Sequence, residues 1–144
     1  MYDEPDLPRD DQDEEPKVRK DTLGEANALL AETRLVLVRL RQIWLEAEPD
    51  RRAFERVQAS DADPVDVSLV HQRLIAGLWD VQPLVAWLRD RDIVLRDPAT
   101  GLIDFPSEIA GADCYLCWRL GEDDIDFWHG TDEGFESRRP LPDG

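Results

Sequence analysis

Cys114, Cys117, Glu122, Trp128, His129, Arg138 and Arg139 place two thiols, a carboxylate, an indole, an imidazole and two guanidiniums in one short C-terminal segment. That is more chemical variety than a structural hairpin requires. Cys114-x-x-Cys117 could chelate a metal or form a redox pair on a turn or a helix start. In a strand, however, positions i and i+3 point to opposite faces. A tetrahedral site would also have to recruit His71 or His129 from elsewhere, so no metal is assigned. His129 is either a hydrogen-bonded hairpin histidine or a group able to carry a proton near neutral pH. Glu122 falls in a turn, where an acid ordinarily meets solvent. Asp104 interrupts Leu102-Ile103-Asp104-Phe105. Its carboxylate either faces water on the outer side of an antiparallel sheet or is buried against Arg138 or Arg139, and the alternation favours exposure.

The register of the Cys114 to His129 hairpin decides which of these groups share a face. If Leu120 faces Ile125 across a four-residue turn, Arg119 meets Asp126 as a cross-strand ion pair, and Cys117 and His129 lie on opposite faces. If Gly121 faces Ile125, Cys117 and His129 are directly opposed and a thiol-imidazole pair becomes possible. The Arg119-Asp126 pairing favours the first register. Trp118 and Trp128 read as core or shelf aromatics, although two exposed indoles beside an arginine pair would make a binding surface.

The elements that position this segment begin at Thr22-Leu23-Gly24-Glu25, a capping box that starts a helix at Leu23. Ala26, Leu30, Thr33, Leu37, Leu40, Trp44 and Ala47 then form a heptad seam. Pro49 ends or kinks this helix, and a short helical piece carrying Phe54 and Val57 follows. Asp63-Pro64 starts a second long helix, with Val67, His71, Leu74, Leu78, Val81, Val85 and Leu88 as its seam and a kink expected at Pro83. Two seams of equal length predict an antiparallel helical hairpin that sets Ala47 near Val67, Ala26 near Leu88 and His71 close to Trp44. After Arg91 the period changes. Ile93-Val94-Leu95, the turn residues Asp97 to Gly101 and Leu102 to Phe105 read as a β-hairpin closed at Pro106. A second hairpin runs from Cys114 to His129.

The chain carries 17 basic and 33 acidic side chains, a net charge of −16. Such a field repels phosphate-rich partners, so nucleic acid is not expected as a ligand. Eight of the acids lie in the first sixteen residues against Arg9 alone, a net of −7. With three prolines and little to bury, this segment reads as a solvated acidic tail. There is no apolar run of membrane-spanning length and the opening is acidic, so a cytoplasmic location is expected. Two cysteines are too few for a disulfide framework and read as free thiols. The sequence has no P-loop, G-x-G-x-x-G, H-E-x-x-H or G-x-S-x-G, and no cofactor is expected.

Gly24 to Leu30, Asp97-Pro98-Ala99-Thr100-Gly101-Leu102-Ile103-Asp104-Phe105-Pro106, Leu116-Cys117-Trp118-Arg119-Leu120-Gly121-Glu122, Phe127-Trp128-His129, Gly134-Phe135 and Arg138-Arg139-Pro140-Leu141 together resemble the bacterial domain-of-unknown-function family numbered 2203. The resemblance runs from about Leu23 to Leu141. It implies a bacterial cytoplasmic protein with a helical part followed by the motif-bearing segment, and it places Cys117 but not Cys114 in the motif. It implies no activity and no catalytic residues.

The expected fold is α+β. An acidic disordered tail over 1–21 precedes a helical hairpin over 22–91, β-hairpins over 92–129 that form a small antiparallel sheet of about four strands, and a C-terminal loop over 130–141. The leading functional expectation is a non-enzymatic module that binds a protein partner or a second copy through its helical seams, with no membrane contact. The alternative is a metal-binding protein or enzyme using Asp104, Cys117, Glu122 and His129, with Arg138 or Arg139 binding an anion.

Overall fold

The Thr22 hydroxyl accepts from the Glu25 N–H at 3.1 Å, and the Glu25 carboxylate accepts from the Thr22 N–H at 2.8 Å. The capping box read from the sequence therefore starts α1 (Leu23–Glu46). Its seam is buried at Ala26, Leu30, Thr33, Leu37, Leu40 and Ile43, and Thr33 satisfies its hydroxyl on the Leu29 carbonyl at 2.7 Å. Pro49 lies in the first turn of α2 (Glu48–Gln58), and Asp63 caps α3 (Pro64–Leu78) by accepting from the Val65 N–H. A 3-10 turn at Trp79–Val81 leads into α4 (Gln82–Asp90), again with proline in its first turn. The kink expected at Pro83 is thus a break between two helices. The structure, a computed structural model, describes residues 18–142.

The sheet has five antiparallel strands in the order β1 (Val94–Asp97), β2 (Leu102–Ile109), β3 (Ala112–Arg119), β4 (Phe127–Gly130) and β5 (Arg139–Pro140). Helices followed by an antiparallel sheet give the α+β class that the sequence pattern predicts. The core is one cluster in which Ala26, Leu30, Leu37 and Leu40 of α1 and Leu88 of α4 meet Ile103, Phe105, Leu116, Trp118 and Ile125. α1 and α4 thus cover one face of the sheet. α2 and α3 pack on each other, with the Phe54 and His71 rings stacked at 5.0 Å. His71 therefore meets Phe54 instead of Trp44, which lies under Arg51 at 4.0 Å. Ala47 lies beside Gly77, not Val67, because α2 intervenes after Pro49.

Three expected boundaries shift. β2 does not close at Pro106 but runs to Ile109. Pro106 is tolerated because β1 pairs only as far as Asp104, and the Pro106 carbonyl accepts from Asp21 N–H at 2.8 Å. That same contact, with the Ser107 hydroxyl donating to the Asp21 carbonyl, fixes the end of the expected tail, and Asp21 is buried. Of the acidic tail expected over 1–21, residues 1–17 lie outside the described residues. The expected C-terminal loop contributes a 3-10 turn (Phe135–Ser137) and β5. Ala110 and Gly111, at φ 52° and 82°, make the two-residue turn of left-handed conformation that joins β2 to β3. Among the described residues no helix is long and apolar enough to cross a membrane.

Gly101 ends the β1–β2 turn at φ +69°, and a Cβ there would stand 2.6 Å from Leu120 Cγ. Gly101→Ala is expected to cost about 2 kcal/mol, backbone strain plus the displacement of Leu120. Gly111→Ala, with φ +82° but nothing within 4 Å, should cost only about 1 kcal/mol from the backbone alone. Urea unfolding of the two variants reads the difference, and equal midpoints would contradict the packing role of Gly101.

Candidate functional site

β3 is the central strand, and its side chains alternate. Leu116 and Trp118 enter the core against the helices, while Tyr115, Cys117 and Arg119 point to the opposite face. The pairing sets Cys117 opposite Asp104 on β2 and opposite Phe127 on β4, with His129 opposite Tyr115. Asp104, Cys117 and His129 therefore line up across three neighbouring strands on the outer face. One ligand atom from each lies within 4.8 Å of the other two.

This register is neither of the two weighed from the sequence. The favoured one, with Leu120 opposite Ile125 and an Arg119–Asp126 pair, is corrected. Residues 118–126 separate the Cys117–Phe127 pair, so the connection is longer than a four-residue turn. Ile125 leaves the strand to enter the helix-facing core, and its N–H is held by the Asn27 side chain at 2.9 Å. The Asp123 carbonyl accepts from Trp118 Nε1 at 2.9 Å and from Arg34 at 2.7 Å. Arg119 instead lies over the Phe135 ring at 4.9 Å. Cys117 and His129 thus share a face, as the second register requires, but diagonally. Cys114 and Cys117 point to opposite faces, and both are free and buried, so the C-x-x-C pair does not converge.

The outer face is not wet at this point. Asp104, Cys117 and His129 are each 1% exposed, which corrects the expectation that Asp104 faces solvent. Its Oδ2 accepts from Arg96 Nε at 2.8 Å and lies 3.0 Å from His129 Nε2. Oδ1 is buried with no partner. The other ring nitrogen, Nδ1, lies 2.8 Å from the Gly130 carbonyl. Both imidazole nitrogens therefore face oxygen acceptors, whereas a neutral ring has only one N–H to donate. One proton on Nε2 or on the Asp104 carboxyl, beside the one on Nδ1, satisfies both contacts. The Arg96 guanidinium, 5.0 Å over the Tyr115 ring, and Tyr115, tilted against His129 at 5.6 Å, roof the group.

The two arginines of the motif do not meet Asp104. Arg138 binds both Glu122 oxygens at 3.0 and 2.8 Å and stacks over Phe127 and Phe135 at 4.1 and 4.2 Å, reaching the Cys117 thiol. Glu122 is therefore no free turn acid. Burial pushes its carboxyl up, but the Arg138 hydrogen bonds and the Arg119 N–H outweigh that and hold it below its ordinary value. Arg139, paired with Trp128 on the other side of the sheet, binds the Glu133 carboxylate at 2.8 and 2.7 Å and covers the Trp128 ring at 4.5 Å. Trp128 packs against the core. Five of the seven candidates, Asp104, Cys117, Glu122, His129 and Arg138, thus gather on the outer face. Trp128 and Arg139 fall on the helix side.

Arg96 and Tyr115 were missed. The apolar run ends at Leu95, but alternation from Val94, which pairs with Asp104, would have put Arg96 on the Asp104 face. Tyr115 shares the parity of Cys117. The chemistry open to the cluster is narrow. Burial pushes the Cys117 thiol up to about 12, with the Asp104 charge adding to it. Both imidazole nitrogens are engaged with oxygen, so a thiolate nucleophile activated by His129 does not fit.

The family model for an uncharacterised conserved protein, DUF2203, matches residues 20–141. No curated protein and no solved structure matches the chain.

At pH 8 both thiols of the folded protein should resist iodoacetamide and react fully in urea, since burial also raises Cys114. Rapid native labelling of Cys117 would contradict its burial. Glu122 is depressed in the folded state, so the stability it contributes is complete above its ordinary value of 4.5 and is lost as pH falls through the lower folded value. Arg138→Gln should therefore destabilise the protein at pH 7 by more than at pH 3. Urea midpoints at the two pH values read this, and a constant difference would sink the Glu122–Arg138 linkage.

Proposed function

The chain belongs to the DUF2203 family of uncharacterised conserved proteins, and from its own surfaces we propose that it is a non-enzymatic interaction module whose helical layer pairs with a second copy of itself. The observation that carries this reading is an apolar stripe that runs along α3 into the first residue of the 3-10 turn after it. Val65, Leu69, Ile75 and Trp79 are 44 to 64% exposed; single exposed apolar residues are ordinary, whereas several on one helix face mark an interaction surface. Val65 and Trp79 each lie seven residues from Gln72, and Leu69 and Ile75 each lie three. Two antiparallel copies of α3 crossing at Gln72 would therefore set Val65 against Trp79 and Leu69 against Ile75, four apolar pairs related by a two-fold axis. Such self-complementarity is what an isologous interface requires. His71, Ile75 and Trp79 also border an open groove, which could receive the indole of the partner copy.

The outer-face cluster supports the non-enzymatic side of the reading. Its thiol is held protonated, and Arg138 and Arg139 are each occupied by a glutamate carboxylate instead of standing free for an anionic substrate. The net charge of −16 opposes self-association, and salt screens that repulsion.

Sedimentation equilibrium should show a monomer–dimer equilibrium that tightens with added salt, the opposite of an interface built on ion pairs. Leu69→Glu and Ile75→Glu, at exposed positions with little folding cost, should each shift the equilibrium to monomer at unchanged far-UV circular dichroism. A wild-type chain that stays monomeric at every concentration and salt level would overturn self-association.

A further inference from the structure

The strongest unexplained feature of the outer face is the convergence of three buried donor groups of different chemistry, Asp104, Cys117 and His129, from three neighbouring strands. His129 Nδ1 donates to the Gly130 carbonyl at 2.8 Å, and Nε2 shares a proton with Asp104 Oδ2, 3.0 Å away, a proton that a metal ion would displace. A histidine that anchors one nitrogen on a backbone carbonyl and offers the other is the usual arrangement of a metal ligand. Asp104 Oδ1 is a buried carboxylate oxygen with no partner. Cys117, directly opposite Asp104, completes a nitrogen, oxygen and sulfur donor set within 4.8 Å.

We propose that Asp104, Cys117 and His129 form a binding site for a single divalent ion of the zinc class. Imidazole, carboxylate and thiol are the donor types that such an ion takes, and three protein ligands leave one position for water or another ligand. The ion would be held by His129 Nε2, Cys117 Sγ and the unpaired Asp104 Oδ1. Arg96 would remain on Oδ2 as the outer partner that orients the carboxylate. On binding, the Cys117 S–H bond breaks, the sulfur keeps the electron pair and bonds the ion, and the proton leaves to solvent. Any proton shared between His129 and Asp104 leaves with it. Thiolate and carboxylate together then carry −2 against the +2 of the ion. The ion and its ligands are then neutral together, and the charge of Arg96 is carried by a side chain that reaches solvent. The Arg96 side chain over the site is 41% exposed, so its movement offers the ion a path in. The site is independent of the α3 stripe, and either can fail without the other.

Cobalt(II) and zinc are the probes, added to the purified full chain after chelator treatment. Cobalt should give a thiolate-to-metal charge-transfer band in the near ultraviolet that saturates at one ion per chain and is abolished by zinc. Cys117→Ser should remove the band, Arg96→Ala should weaken cobalt binding by about ten- to a hundredfold, and His71→Gln, on α3, should leave it unchanged. Zinc should raise the unfolding temperature of the wild type, and chelator should reverse the rise. No cobalt band, or a band that survives in Cys117→Ser, overturns the site. Should Cys117→Ser not fold, Cys114→Ser decides the question: a retained band assigns the thiolate to Cys117, and a lost band overturns the proposal.

Discussion

The two-residue alternation of β3 is the constraint from which the rest of the molecule follows. As the central strand it pairs on both sides, so neither its position nor its tilt can adjust to suit one side chain. Leu116 and Trp118 go to the helix layer, and Cys117 goes the other way. Once Leu116 and Trp118 are buried against α1, the outer positions on β2 and β4 are assigned by pairing. Asp104 and His129 are thereby brought to Cys117 whatever their own preference for water. A slip of one residue would expose Trp118 and break the core, which makes the hydrophobic face the guarantor of the polar one.

Burying a carboxylate and an imidazole on the outer face is costly unless each is bonded. Arg96 contributes a charge-assisted bond to Asp104, and the Gly130 carbonyl fixes the ring of His129. The group remains incomplete at Oδ1. The same face uses a different solution a few ångströms away, where Glu122 and Arg138 neutralise each other and lie against Phe127 and Phe135. A matched ion pair and a mixed carboxylate, thiol and imidazole group thus share one face of the sheet.

The helical layer divides its apolar residues between two tasks. The α1 seam and Leu88 of α4 are buried in the sheet-facing core. α3 is deflected from that core because Pro49 begins a separate α2, which takes α3 as its own partner. Part of the apolar surface of α3 is thus left uncovered, and the exposed residues Val65, Leu69 and Ile75 lie beside the expected seam positions Val67, Leu74 and Leu78, which are half-buried.

Local chemistry determined much of this from the sequence. Thr22 and Glu25 fix the start of α1 because a capping box is satisfied within four residues. Asp63-Pro64 fixes α3 for a similar reason, and the period change after Arg91 marks the passage from helix to sheet. The opposed faces of Cys114 and Cys117 follow from strand parity alone. Tertiary structure decided the register of β3 with β4, because it depends on Ile125 entering the core and on Asn27 of α1 holding its backbone, contacts spanning nearly a hundred residues. It also decided that Asp104 takes Arg96 and not Arg138, and that Glu122 takes Arg138. Alternation names the face on which a side chain lies. Only the packing of the other face fixes how far each strand slides, and hence which groups on that face can touch.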